Sequence, residues 1–118
     1  ILILITEWPE TFQKDSEQAA EIMDYSFHPA AEAELNDAID YYESIQTGLG
    51  VDLAEQVEQA VARAVKFPQA WSFIRKPVRR SLVKRFPYGV LYVEKKNSIF
   101  ILAVMNLHRE PDYWENRQ

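Results

Sequence analysis

The residues best suited to bind anions and transfer protons are concentrated in the last third of the chain. Four cationic side chains fall within a run that also carries apolar residues, namely Arg79, Arg80, Lys84 and Arg85. His108 and Arg109 follow a long apolar stretch, and histidine is the side-chain type that changes protonation near neutral pH. Because arginine binds phosphate and carboxylate through paired hydrogen bonds, this combination favours an anionic or acidic partner.

A strand over residues 79–86 would divide these cations between the two faces of a sheet. Alternate strand residues project to opposite sides, which places one pair on each face: Arg79 with Arg85, and Arg80 with Lys84. At most one pair then lines a site. The other pair is expected to reach acidic helix residues such as Asp37 or Glu58.

Composition indicates a single domain that needs no metal or disulfide to fold. The chain has 118 residues, of which 47% are hydrophobic, enough for one core. It has no cysteine and only two histidines, His28 and His108, which argues against cysteine zinc sites and histidine-rich metal sites. We therefore predict no metal and no cofactor, and the lack of cysteine suits a cytoplasmic protein.

The net charge of −5 conceals a strong asymmetry between the two parts of the chain. Residues 1–62 carry 14 acidic side chains and one basic one, for −13, whereas residues 63–118 carry 12 basic and four acidic ones, for +8. Such a division indicates either an anionic or acidic partner for the basic part or neutralisation between helices and strands within the fold.

The first 22 residues are set apart as an N-terminal extension. Residues 1–5 are apolar and predict a short strand, too short to span a bilayer and without the flanks of a signal peptide. A short helix is predicted to follow, ending near Met23. The extension is either an added element of the domain or upstream or fused sequence, such as an acidic tail that pairs with a sheet edge, before a domain at 23–118.

Two helices joined by a short turn are predicted next. A short strand at residues 25–27 leads to Pro29, which is well tolerated at the first helical position. The glycines at 48 and 50 end this helix, with Gly48 suited to the left-handed position after it. A second helix over about 51–67 should pack antiparallel to the first.

Three strands are predicted after the helices, over about 79–86, 88–95 and 99–107. Asn97 lies in the turn between the last two and suits a positive φ. Residues 69–77 are predicted to be a loop with Trp71, Phe73 and Ile74 against the core. The expected fold is therefore α+β, an N-terminal helical hairpin packed on a small twisted antiparallel sheet.

Several segments over residues 23–118 resemble the RelE/ParE toxin superfamily. They are Tyr25-Ser26-Phe27-His28-Pro29-Ala30-Ala31, Glu34-Leu35, Tyr41-Tyr42, Gly48-Leu49-Gly50, Arg79-Arg80, Lys84-Arg85-Phe86-Pro87-Tyr88 and Ala103 through Trp114. Their order and spacing carry the resemblance more than any single motif does.

The resemblance implies the toxin of a type II toxin–antitoxin module, a class that includes plasmid stabilisation proteins. Such a toxin is cytoplasmic and is neutralised by a cognate antitoxin, here expected to be an acidic, amphipathic segment. RelE-like members cleave mRNA at the ribosome and ParE-like members poison DNA gyrase. A homodimer and a toxin–antitoxin hetero-oligomer are both compatible with it, and no membrane association is expected.

The two activities require different residues. RNA cleavage without a metal needs a base, an acid and cations on the phosphate, for which His108, Arg109 and Tyr113 are the candidates. Gyrase inhibition needs a target-binding surface instead, with these candidates: Arg79, Arg80, Lys84, Arg85 and Arg117.

We favour the ParE-like alternative. The glycine-containing turn, the long paired helices and the ending at 109–114 resemble ParE more closely. A homologue that binds an antitoxin without being toxic is a third alternative.

Overall fold

The computed structural model describes residues 24–110 and 112–117. The strand and helix predicted within residues 1–22 lie outside the described residues. The described elements in chain order are β1 (Asp24–Phe27), α1 (Pro29–Ile45), α2 (Leu49–Lys66), β2 (Phe73–Arg75), β3 (Val78–Leu82), β4 (Tyr88–Lys95), β5 (Ser98–Asn106) and a short 3₁₀ helix (Glu115–Arg117).

Helix α1 begins where the sequence predicts. Pro29 occupies its first turn, and the Nδ1 atom of His28 accepts a hydrogen bond from the Ala30 backbone N–H at 3.0 Å. That bond satisfies one of the N–H groups that a helix start leaves without a partner. The buried stripe of the helix consists of Ala31, Leu35, Ala38 and Ile39.

The turn between α1 and α2 is held by Glu43. Its carboxylate accepts hydrogen bonds from the backbone N–H groups of Gly48 and Gly50, at 2.9 to 3.1 Å. Gly48 has the predicted left-handed backbone, with φ of +92°, and it caps the start of α2. Helix α2 therefore starts two residues earlier than predicted, at Leu49, because the glycine turn is shorter than the sequence suggested.

The sheet is mixed, which corrects the antiparallel prediction. Its strand order is β1-β5-β4-β3-β2, and β1 runs parallel to β5 while the other neighbours are antiparallel. Parallel pairing needs a long crossover connection, and here the helical hairpin supplies much of it. The remainder of the fold prediction, helices layered on a small sheet, is confirmed.

The strand predicted over residues 79–86 is also wrong at its end. Strand β3 stops at Leu82, and Arg85 has φ of +72°, which strand residues do not adopt. Val83 and Phe86 are buried in the core beneath the helices. Burying both of these side chains requires the chain to turn instead of continuing its alternation.

The loop predicted over residues 69–77 contains the short edge strand β2. Trp71 and Ile74 pack against the two cores as predicted. Phe73 does not, since 40% of it is exposed.

Each face of the sheet has its own core. The first core lies between the helices and the sheet and includes Leu35, Leu53, Val61, Tyr92 and Ile101. The second core, on the opposite face, consists of Val78, Leu91, Val93, Leu102, Ala103, Met105 and Trp114. The C-terminal residues thus act as a second layer that covers part of this face. No helix in the described part of the chain is long and apolar enough to cross a membrane.

Candidate functional site

Glu34 joins helix α1 to the C-terminal residues at the edge of the sheet. Its two carboxylate oxygens accept hydrogen bonds from Arg117 Nη1 at 2.9 Å and Nη2 at 3.1 Å. The two side chains are only 15% and 17% exposed. Paired hydrogen bonds of this kind fix the guanidinium in one orientation, so Arg117 is anchored in the fold.

The same pair satisfies backbone groups on the outer edge of β5. Strand β1 pairs with β5 only as far as Ile101. Beyond that point the Val104 N–H donates to Glu34 at 3.1 Å, and the Leu102 carbonyl accepts from Arg117 at 3.0 Å. The two side chains therefore supply, at Leu102 and Val104, the hydrogen bonds that a neighbouring strand would otherwise make to β5.

Tyr113 lies between two arginines next to Glu34. The guanidinium carbon of Arg109 is 3.8 Å from the centre of the Tyr113 ring, and that of Arg117 is 5.0 Å away. The Tyr113 hydroxyl is buried beside the Glu34 carboxylate. Burial, and then the nearby carboxylate of Glu34, raise the pKa of Tyr113 above its usual range. A raised pKa makes this phenol a poor proton donor at neutral pH.

His108 is placed differently from Arg109 and Tyr113. It lies in the exposed turn after β5, where its backbone N–H donates to Asn106 Oδ1 at 2.9 Å. The described residues provide no hydrogen bond or ion pair to its imidazole ring. Of the three predicted catalytic residues, Arg109 and Tyr113 are therefore stacked on each other. His108 has no partner among the described residues that would orient its ring.

The four cations of the run at 79–85 have separate environments. Arg79 donates to the Trp71 carbonyl at 2.6 Å and stacks on the Phe73 ring at 3.8 Å, so it holds the loop before β2. Arg85 is 3.6 Å from Asp52 on α2, which replaces the predicted partners. Lys84 is exposed. Lys84 and Arg85 follow the end of β3, so the predicted pairing of cations by strand face does not apply to them.

Arg80 lies on the second sheet face beside an apolar surface. A Cβ atom added to Gly89 would meet the Arg80 Cγ and Cδ atoms at 2.9 Å and Leu107 Cδ2 at 3.5 Å. Leu82 is 48% exposed and Leu107 is 38% exposed. We refer to Arg80, Leu82, Gly89 and Leu107 as the open end of the sheet, since the C-terminal residues cover the other end of this face.

Comparison with solved structures identifies the fold. The chain is similar to one from a chromosomal ParDE TA system from P. aeruginosa, with a TM-score of 0.65 and 18% sequence identity. The likeness covers 74% of this chain and 98% of that chain. The RelE/ParE-like fold is thereby confirmed. No protein-family model and no curated protein sequence matches the chain.

Three residues of this region were missed from the sequence. Glu34 belongs to one of the segments that carry the resemblance, but it was assigned no role, because its partner Arg117 is 83 positions away. Leu82 and Leu107 resembled ordinary strand residues. Their exposure depends on where the covering layer ends, which no local pattern encodes.

The described residues also contain no group of three or more histidine and carboxylate side chains arranged to hold a metal ion.

Proposed function

We propose that this chain is the toxin of a type II toxin–antitoxin module, that it acts in the cytoplasm on DNA gyrase in the manner of ParE, and that a cognate antitoxin neutralises it. The observation that carries the proposal is the likeness in fold to a chain of a ParDE TA system, which extends over nearly the whole of that chain. Residues 23–118 would form the toxin domain, with residues 1–22 as an extension of it.

The arrangement around Glu34 argues against the alternative of a RelE-like ribonuclease. Such an enzyme needs a base, an acid and uncompensated cations on one surface. Here Arg117 is neutralised by Glu34, Arg109 is 3.9 Å from the same carboxylate, and Tyr113 is held protonated. Within residues 24–110 and 112–117, no group bonds the His108 ring so as to orient it as a base.

The open end of the sheet is a better candidate for contact with a protein target. Exposed leucines next to a cationic side chain provide apolar area with a charged rim, as protein interfaces do. Lys84 and Arg85 follow β3 directly and extend the charge of this rim. We therefore retain Arg80, Lys84 and Arg85 as target-binding residues. Arg79 and Arg117 are assigned to the fold, since their side chains are bound to carbonyl and carboxylate groups.

The antitoxin partner follows from charge. The part of the chain from residue 63 onward carries +8, so an acidic, amphipathic segment would be guided to the sheet by electrostatic attraction. Binding in this way would cover apolar surface and target-binding cations together. A toxin–antitoxin hetero-oligomer is the assembly we propose.

Two assays on the purified protein test the proposal. We expect inhibition of gyrase supercoiling, no cleavage of mRNA on translating ribosomes, and no effect of His108→Ala on either result. Ribosome-dependent cleavage that disappears with His108→Ala would overturn the proposal in favour of a RelE-like enzyme. Neither activity, combined with tight binding of an acidic antitoxin, would indicate the non-toxic homologue.

A paired substitution tests the target surface. Leu82→Ser combined with Leu107→Ser should reduce gyrase inhibition by roughly tenfold or more, as loss of central apolar contacts does. Ile45→Ser is the control, since Ile45 is an aliphatic residue on α1 that is 57% exposed. Equal loss from the control would show that the open end has no special role.

A further inference from the structure

Two hairpin turns bring cations together at the end of the sheet remote from His108. The turn between β2 and β3 follows Arg75 and contains Lys76, and the turn between β4 and β5 contains Lys96. Val78 pairs with Val93, and Lys95 pairs with Ser98, so both turns lie at the same end. Adjacent strands are about 4.8 Å apart, which separates the two turns by roughly 10 Å.

Three of the four cations at this end, Lys76, Lys95 and Lys96, have no ion pair within the described residues, whereas Arg75 pairs with Glu115. Three acidic residues lie at this end: Glu115 pairs with Arg75, Glu94 accepts long hydrogen bonds from Gln69 at 3.3 and 3.4 Å, and Asp24 stands opposite Ser98 at the start of β1. Lys76, Lys95 and Lys96 are all exposed. At the other end of the sheet, carboxylates lie within ion-pairing distance of Arg85 and Arg109, while Arg80 and Lys84 have no ion pair within the described residues.

Two exposed aromatic rings accompany the lysines at this end. Phe67 is 57% exposed and Phe73 is 40% exposed. Phe73 is held by Arg79, which stacks on its ring, and Lys76 Nζ lies 5.5 Å from the ring centre. The segment of Phe67 is tied to the sheet because the Tyr92 hydroxyl donates to the Pro68 carbonyl at 2.7 Å. We refer to Phe67, Phe73, Arg75, Lys76, Lys95 and Lys96 as the hairpin end.

We infer that the hairpin end binds single-stranded nucleic acid. Uncompensated cations attract a phosphate backbone, and exposed flat rings offer surfaces on which unpaired bases stack. Each exposed ring has a cation beside it, Lys66 at Phe67 and Lys76 at Phe73, which is the combination of charge and flat surface that single-strand binding uses. The inference goes beyond the proposed function, because this surface lies at the opposite end of the sheet from the open end.

Binding of a fluorescent oligothymidylate of about 16 nucleotides to the full chain tests the inference. We expect binding that weakens with salt between about 50 and 200 mM, with a slope of roughly −2 in log–log form for three phosphate contacts. A duplex of the same length should bind more weakly, since its bases are not free to stack. No binding at the lower salt concentration, or tighter binding of the duplex, would overturn the inference.

Charge-matched variants locate the site. Lys95→Gln with Lys96→Gln should weaken binding by roughly tenfold or more and reduce the salt slope. Lys84→Gln with Arg85→Gln removes the same charge at the other end and should bind the oligonucleotide as the parent does; an equal loss would refute the assignment.

Phe67→Ser should weaken binding without changing the salt slope, and unchanged affinity would count against base stacking. These assays contain neither gyrase nor antitoxin, so their outcome is independent of the proposed function.

Discussion

Glu34 and Arg117 are 83 positions apart in the chain, yet they form an ion pair in which both carboxylate oxygens accept a hydrogen bond from the guanidinium. The pair also bonds the Val104 N–H and the Leu102 carbonyl. It therefore fastens the C-terminal residues, which carry Trp114 of the second core, to helix α1.

Loss of one partner from this pair should destabilise the protein strongly. Glu34→Gln would leave a mostly buried guanidinium without a counter-charge, and we expect the free energy of unfolding to fall by about 3 kcal/mol. Chemical denaturation would measure the change. Asp37→Asn on the exposed side of the same helix is the control, with an expected effect of about 0.5 kcal/mol or less.

A double-mutant cycle separates the pair from its surroundings. Glu34→Gln combined with Arg117→Gln should cost less than the sum of the single changes by about 1 kcal/mol or more, because the second change removes the unpaired charge left by the first. Strict additivity would show that the two side chains stabilise the fold independently.

The close approach of the two helices makes Gly50 sensitive to a single methyl group. A Cβ atom there would lie 2.5 Å from the Ile39 carbonyl oxygen, a backbone atom that cannot move aside easily. Alanine normally favours a helix over glycine, but overpacking should dominate. We expect Gly50→Ala to lower the free energy of unfolding by about 2 kcal/mol.

Gly48→Asn is the matched change in the same turn. The space beside Gly48 is open, and asparagine tolerates its left-handed backbone. Thermal unfolding should therefore show a small shift for this variant and a large one for Gly50→Ala. Similar shifts would mean that the helix contact is looser than the 2.5 Å approach indicates.

Glu58 should make stability depend on pH. Burial, and then the neighbouring Glu55, raise the pKa of Glu58 to about 7 from 4.5. A raised carboxyl pKa means that the folded state binds the proton more tightly, so this contribution is present below about pH 4.5 and is lost as the pH rises through 7. Glu58→Gln should therefore stabilise the protein at pH 8 by up to roughly 1 kcal/mol, since solvent screens a partly exposed carboxylate. At pH 4 the variant and the parent should unfold alike, and a benefit that persists there would contradict the assignment.

The acidic extension should compete with nucleic acid at the hairpin end. Strand β1 starts at Asp24, opposite Ser98, so the first residue that the structure describes lies at this end of the sheet. Residues 1–22 carry five carboxylates and one lysine. Converting the five carboxylates to amides should tighten oligothymidylate binding several-fold by removing a tethered negative charge. Unchanged affinity would show that the extension does not reach the hairpin end.

The sequence predicted those parts of the fold that depend on neighbouring residues. Pro29 at the helix start, Gly48 in the helix turn and Asn97 in the last hairpin all have the expected backbone. Each is governed by the conformational preference of one residue type.

Features that depend on distant residues could not be predicted in this way. The parallel pairing of β1 with β5 and the bond between Glu34 and Arg117 join opposite ends of the domain. The true end of β3 depends on how far Val83 and Phe86 can enter a core that the helices build. The surroundings of Arg79, Arg109 and Tyr113 are of the same kind, since the partners that decide what each side chain is free to do come from distant parts of the chain.

The parallel pairing of β1 has a consequence for synthesis of the protein. Its partner residues Ser98 through Ile101 belong to the last strand of the domain, and the tail that completes the second core follows them. The nascent chain can form its helical hairpin early, but β1 cannot pair with β5 until residues 98–101 have left the ribosome. Strand β1 therefore stays unpaired until β5 has been synthesised, and such long-range pairing is the slow step expected of this topology.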